Sequence, residues 1–175
     1  MHHKSFAFML LLCTAGAITA ADEETAGLAQ GSFRVGGSLR LESFENETNA
    51  EFEATLGFLP RPYLEPGLML GMTKREGTDV FGKAGASLLW HILPSRSVVP
   101  GVGVQLTRTL GYPVISGESG NFTVGEVFGN LEVFVSPSLS FTMRGAYQSW
   151  WGELFDSRGF VFRAGISTFL GAGGR

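Results

Sequence analysis

Hydrophobic and polar residues alternate along most of the chain. In residues 33–42, FRVGGSLRLE, the apolar residues stand at 33, 35, 39 and 41, and Arg34 and Arg40 lie between them. Residues at every second position share one face of a β-strand. The alternation therefore predicts a strand with one apolar face and one face that carries arginines.

The same pattern recurs, and no segment keeps the spacing of a helix. Eight segments alternate: 33–43, 51–58, 63–73, 81–92, 97–109, 122–135, 138–149 and 159–170. Tight, proline-bearing connections follow segments two, four and six (LPRP, LPSR and SP), whereas longer polar ones follow segments one, three, five and seven. Short turns at one end and longer loops at the other are typical of an up-and-down transmembrane barrel.

Sorting each segment by parity separates an apolar face from a polar one. The apolar face includes Val35, Leu39, Phe52, Leu56, Leu64, Leu68, Leu70, Met72, Leu88, Trp90, Ile92, Val102, Val104, Leu106, Val127, Leu131, Val133, Phe141, Met143, Phe160, Phe162, Ile166 and Leu170. Burying one Val, Leu, Ile or Phe is worth about 1.5–3 kcal/mol. This face must therefore contact either lipid or a protein core.

The polar face decides between these two environments. It is rich in glycine, serine and threonine, and it carries six acids and five bases: Arg34, Arg40, Glu42, Glu51, Glu53, Glu65, Lys83, Glu126, Glu132, Arg144 and Arg163. Small side chains suit the interior of a narrow eight-stranded barrel. Nearly balanced charges suit a closed lumen, because an unpaired buried ion costs several kcal/mol. We therefore predict an all-β, antiparallel, up-and-down eight-stranded transmembrane β-barrel with lipid outside and a structural charge network in its lumen.

The start of the chain predicts export. A basic start at His2–Lys4, an apolar run from Phe6 to Ile18 and small residues near Ala20 are typical of a cleaved signal peptide. We divide the chain into the signal peptide 1–20, a polar leader 21–31, the barrel 32–170 and a short tail 171–175. Charged residues are 17% of the chain, below the usual ~25%.

Composition argues against several other functions. After cleavage the chain has 12 bases against 16 acids and no block of like charge, so nothing indicates nucleic-acid binding. His91 is the only histidine left and the only cysteine, Cys13, lies in the signal peptide. No multi-histidine metal site, disulfide or cofactor is expected, and glycine pairs such as Gly101-Val102-Gly103 have no helix after them to form a nucleotide site.

These segments, with their loop sorting and inward charges, resemble the small eight-stranded outer-membrane barrels, namely the OmpA transmembrane domain and the OmpX/Ail group. The last segment, FVFRAGISTFL, is similar to the terminal signal that the outer-membrane assembly machinery recognises. It differs in closing on Leu170, followed by GAGGR, where an aromatic residue usually ends the chain. The resemblance implies a monomer in the cell outer membrane of a Gram-negative-type bacterium, with outer-membrane lipid and the assembly machinery as partners.

Two interpretations of the lumen charges are open: a structural plug, which the resemblance implies, and a narrow porin-like pore. Within the network we expect Arg40 to pair with Glu53 across the first hairpin, if its loop is centred on Asn46–Glu47. His91 and Glu65 are expected to approach each other at the short-turn end. His91 is then either a base or pH-sensitive gate, or a polar residue at the rim of a wet lumen.

The function expected is structural: envelope integrity, surface contact or at most a narrow pore, with no enzyme activity. One alternative is a secreted soluble β-barrel that binds a lipophilic ligand, with Val104 and Leu131 buried centrally. A less favoured one is a lipid A-modifying outer-membrane enzyme, since His91 falls on the inward parity and Ser95 lies in a turn.

Overall fold

The strands form a closed barrel. The structure is a computed structural model, which describes residues 28–44, 47–75, 80–94, 97–113, 119–152 and 156–171. Each strand pairs antiparallel with the next, and β8 pairs antiparallel with β1. The strands are β1 (Phe33–Phe44), β2 (Glu47–Phe58), β3 (Leu64–Arg75), β4 (Phe81–His91), β5 (Val98–Pro113), β6 (Ser119–Ser136), β7 (Leu139–Trp151) and β8 (Asp156–Leu170). The predicted up-and-down eight-stranded barrel is confirmed. The predicted signal peptide lies outside the described residues.

The predicted sorting of short and long connections is wrong in its lengths. The first hairpin pairs Phe44 with Glu47, which leaves two residues between β1 and β2. The fifth strand ends at Pro113 and the sixth begins at Ser119. Together they include much of the predicted loop GYPVISGESGN. The sequence of these loops is polar, but cross-strand hydrogen bonds extend the ladders into them. Strand pairing depends on the backbone as well as on apolar alternation.

The apolar face points outward, as the parity predicts. Phe160 and Phe162 on β8 are 77% and 78% exposed, and Leu70 on β3 is 66% exposed. Val104 is 52% exposed on the outer surface, so the alternative that buries it around a central ligand is wrong. No helix among the described residues has the length and apolarity needed to cross a membrane.

Apolar side chains close the end of the barrel where β1 begins and β8 ends, which we call the short-turn end after the turns LPRP, LPSR and SP predicted there. Leu28, just before β1, is buried against Leu59, Val99, Phe134 and Phe169. The chain is tied there by Gly31 N donating to Leu59 O at 2.7 Å and Leu59 N donating to Ser32 O at 2.9 Å. Gly31 has a φ of +84°, a conformation that glycine adopts without steric cost. We call this group the end plug.

Candidate functional site

The polar face of every strand points into the barrel, because alternate side chains of a closed sheet face its axis. Eight of the predicted lumen charges are buried: Arg34, Glu51, Glu53, Glu65, Glu126, Glu132, Arg144 and Arg163. The side chains of Arg40 and Lys83 are 16% and 8% exposed, and the side chain of Glu42 lies outside what the structure describes. The lumen therefore holds a dense set of charges, and most of them fall into two clusters.

The first cluster lies next to the end plug and joins β1, β3, β4 and β6. We call it the His91 cluster. Arg34 Nη1 donates to Glu65 Oε1 at 3.0 Å, and Arg34 Nε lies 3.5 Å from Glu132 Oε1. Arg34 Nε also donates to Ser167 Oγ at 3.0 Å. One guanidinium therefore contacts two carboxylates that come from strands on different sides of the barrel.

His91 completes this cluster. Its Nε2 lies 2.9 Å from Glu65 Oε2, so the expected approach of these two residues is confirmed. Its Nδ1 is 3.9 Å from Glu132 Oε2, and neither of those two atoms has a hydrogen-bond partner. His91 is 1% exposed, which places it in a packed interior and not at the rim of a wet lumen. Its ring points inward, away from the outer surface that a lipid A-modifying site would use.

The second cluster is centred on Arg163 of β8, and we call it the Arg163 cluster. Two guanidinium nitrogens of Arg163 donate to the two Glu126 oxygens at 2.8 and 2.9 Å. Its Nε donates to Glu51 Oε1 at 3.1 Å and lies 3.5 Å from Glu53 Oε1. Lys83 Nζ lies 2.7 Å from Glu51 Oε1 and also hydrogen-bonds Glu53. Three carboxylates thus share two buried cations.

The predicted pair of Arg40 with Glu53 is wrong. Arg40 stands opposite Glu51 in the β1–β2 ladder, and its Nη1 is 3.7 Å from Glu51 Oε2. Ser38 is the residue opposite Glu53, and its hydroxyl lies 3.5 Å from Glu53 Oε2. The connection is centred between residues 45 and 46, one residue earlier than predicted, and this moves the partner of Arg40 by two positions.

Arg144 on β7 stands apart from both clusters. Its Nη1 donates to the side-chain oxygen of Gln105 at 3.0 Å, and its guanidinium lies 4.0 Å from the centroid of the Phe128 ring. In the β7–β8 ladder it faces Arg163, which has the same charge. A cation on an aromatic face is stabilised, but less fully than one paired with a carboxylate.

The polar-face prediction missed the apolar side chains inside the barrel. Met69, Leu89, Phe128 and Val161 are buried among the lumen charges. Phe128 has the same parity as Glu126, so the alternation contained the signal that would have placed it inside. These side chains fill the space that the small residues of neighbouring strands leave open.

Comparisons with known proteins concern the fold. The N-terminal β-barrel domain of Pseudomonas aeruginosa OprF matches this chain with a TM-score of 0.60 and 11% identity, over 98% of that domain and 81% of this chain. Neisserial surface protein A (NspA) matches with a TM-score of 0.59 and 14% identity, over 99% of that chain and 83% of this one. The fold is that of the small eight-stranded outer-membrane barrels. No family model matches this sequence, and no curated protein matches it.

Within this barrel fold, the ion pairs of the two clusters connect strands across the lumen. Arg34 and Arg163 each bridge carboxylates from strands that are not adjacent in the sheet, as Arg163 of β8 does with β2 and β6. Charge-assisted and bidentate hydrogen bonds are the strong class of such contacts. The arrangement fixes the cross-section of the barrel and occupies its lumen.

Proposed function

We propose that this chain is a monomeric outer-membrane β-barrel protein whose role is structural, in envelope integrity or surface contact. The observation that carries the proposal is the inverted distribution of polarity. Apolar side chains cover the outside, while ion pairs fill the inside. Hydrocarbon solvates such an exterior better than water does, since exposed apolar patches of this extent are rare on soluble monomers.

Aromatic side chains support a bilayer as the surroundings. Tyr63 and Trp90 pack with ring centroids 4.8 Å apart near the short-turn end. Tyr147 and Phe160 pack at 5.1 Å nearer the other end of the barrel. Trp and Tyr are enriched at both membrane–water interfaces, where an apolar ring with a polar tip is stable.

The lumen contacts favour a plug over a pore. Five described carboxylates and five described cations meet inside the barrel, together with Phe128 and Met69. An eight-stranded barrel has an interior just wide enough for side chains to fill it. Ion flow would require breaking buried pairs, each at a cost of several kcal/mol.

Membrane fractionation and gel mobility test the proposal. The full chain, expressed in a Gram-negative host, is expected in the outer-membrane fraction and extracted only by detergent. Unboiled samples should migrate differently from boiled ones, because a closed barrel resists unfolding by detergent. A chain that is compact and freely soluble without detergent would contradict the proposal.

Conductance tests separately whether the charged side chains of the lumen block the passage of ions. Purified protein in a planar bilayer is expected to give no steady single-channel current at neutral pH. Lipid A mass spectra from cells with and without the protein should be identical, since we propose no enzyme activity. A regular ion current would replace the plug with a narrow pore and leave the membrane assignment unchanged.

A further inference from the structure

A small cavity lies in the lumen between the first, second, seventh and eighth strands. Its volume is about 20 Å³, and Arg34, Arg144 and Arg163 all line it. Serine and threonine side chains complete the wall, among them Thr142 and Ser167. The lining contains no carboxylate. The wall is therefore built from hydrogen-bond donors and positive charge.

Arg144 is the cation that lacks a counter-charge at this wall. Within the described part of the chain it forms no ion pair closer than 4.0 Å, and its one hydrogen bond goes to the neutral side chain of Gln105. By contrast, Arg34 contacts Glu65 and Arg163 contacts Glu126. Arg144 is nevertheless buried, with 8% exposure. A buried cation without a close anion is costly.

The lumen charges balance in number but not in position. The carboxylates of the Arg163 cluster bind Arg163 and Lys83, and Glu65 and Glu132 bind Arg34 and approach His91. Three guanidinium groups line one space, and of these Arg144 has no carboxylate within ion-pair distance among the described residues. The hydroxyl groups of Thr142 and Ser167, 3.3 Å apart, lie on the same wall. Thr142 also donates to Glu132 Oε1 at 3.4 Å, and Ser167 accepts from Arg34 Nε at 3.0 Å.

We propose that this cavity binds a single small monovalent anion of the halide class, held by Arg144 with Arg34, Arg163 and the neighbouring hydroxyls. A cavity needs about 10–15 Å³ by this measure to hold one water. The space of about 20 Å³ is larger than one water needs and close to the volume of one chloride ion, which leaves no room for a group of several heavy atoms. This inference concerns the lumen alone and does not depend on the structural role proposed above.

Bromide crystallography tests the site directly. The full chain is refolded and crystallised in sodium bromide, and an anomalous peak is expected within hydrogen-bond distance of the Arg144 guanidinium. Refolding in the salt lets the ion enter before the barrel closes. A cavity with water density and no anomalous peak overturns the proposal, and so does a peak that persists unchanged in Arg144→Met, since it would be an adventitious ion only.

Urea unfolding in detergent micelles provides a measurement in solution. Chloride is varied against gluconate, which is too large for the cavity, at constant ionic strength. Above saturation, a tenfold rise in chloride should lower the wild-type unfolding constant about tenfold, because the ion binds only the folded state. Arg144→Met should lose this dependence, while Arg158→Met, at an exposed position on β8, should keep it. Equal chloride responses in wild type and Arg144→Met would overturn the proposal. If Arg144→Met does not fold, the bromide peak in the wild type decides.

Discussion

The contacts of the Arg163 cluster predict that removing Arg163 destabilises the barrel more than removing the charge of Glu126 does. Arg163 contacts three carboxylates, with Glu126 at 2.8 Å, Glu51 at 3.1 Å and Glu53 at 3.5 Å. Glu126 contacts one cation, Arg163, and accepts a hydrogen bond from Gln148. Removing Arg163 therefore leaves several buried anions with too little positive charge. Removing the charge of Glu126 leaves Arg163 with two carboxylates still in reach.

The expected magnitudes follow from this count of partners. Breaking a buried pair by removing one partner costs about 3–5 kcal/mol, and we expect Arg163→Met to fall in that range. Glu126→Gln keeps an acceptor for Gln148 and strands no ion, so we expect it to cost about 1–3 kcal/mol, the range for a buried polar group that loses its partner. The double variant should cost less than the sum of the two, by about 0.5–3 kcal/mol.

Urea unfolding of the refolded barrel in micelles, followed by tryptophan fluorescence and by gel mobility, measures all three variants. Exposed Arg158→Met is the matched control for the loss of an arginine, and it should change the free energy of unfolding by less than about 0.5 kcal/mol. The reasoning is refuted if Glu126→Gln costs as much as Arg163→Met, or if the two effects simply add.

Three further predictions concern the outer face, the sheet closure and the end plug. Val104→Arg should destabilise the membrane-inserted barrel by about 2–4 kcal/mol, measured by unfolding from vesicles; no loss relative to Val104→Ala would mean that this face is not in lipid. Gly165→Ala should cost about 1–3 kcal/mol, because an added Cβ would lie 2.3 Å from the carbonyl oxygen of Gly37, whereas Gly129→Ala, which meets nothing within 4 Å, should change stability little. If both alanine variants unfold at the same urea concentration, the close approach of β1 and β8 is wrong. Leu59→Ala should cost about 2–5 kcal/mol and speed proteolysis near residue 28, and an unchanged cleavage rate would show that the end plug does not hold that segment.

Period-2 alternation was enough to predict the fold and the two faces. Glu126 and Arg163 were assigned to the lumen from parity alone, because one residue of slip would turn every side chain to the opposite face. Their partners were not predictable in the same way. The cross-barrel contact between Arg163 and Glu51 joins β8 to β2, and its geometry exists only once the sheet has closed.

The error at Arg40 shows the limit of this reasoning. A shift of two residues keeps every side chain on its own face, so parity cannot distinguish Glu51 from Glu53 as its partner. The connection between β1 and β2 decides the register, and polar residues such as those at 47–49 suit either a loop or a strand. The end plug was missed for a related reason, because a single apolar residue, Leu28, in a polar leader has no periodicity to reveal its contacts.

The cross-barrel ion pairs have a consequence for how the protein is made. Arg163 and Glu51 are 112 residues apart in the chain, and Arg34 and Glu65 are 31 apart. A lone hairpin entering hydrocarbon would carry these ions without their neutralising groups. Stepwise insertion is therefore penalised at every stage before the last strand arrives. Biogenesis is favoured when the nascent sheet matures in a sheltered, hydrated setting and is released to the bilayer as one unit.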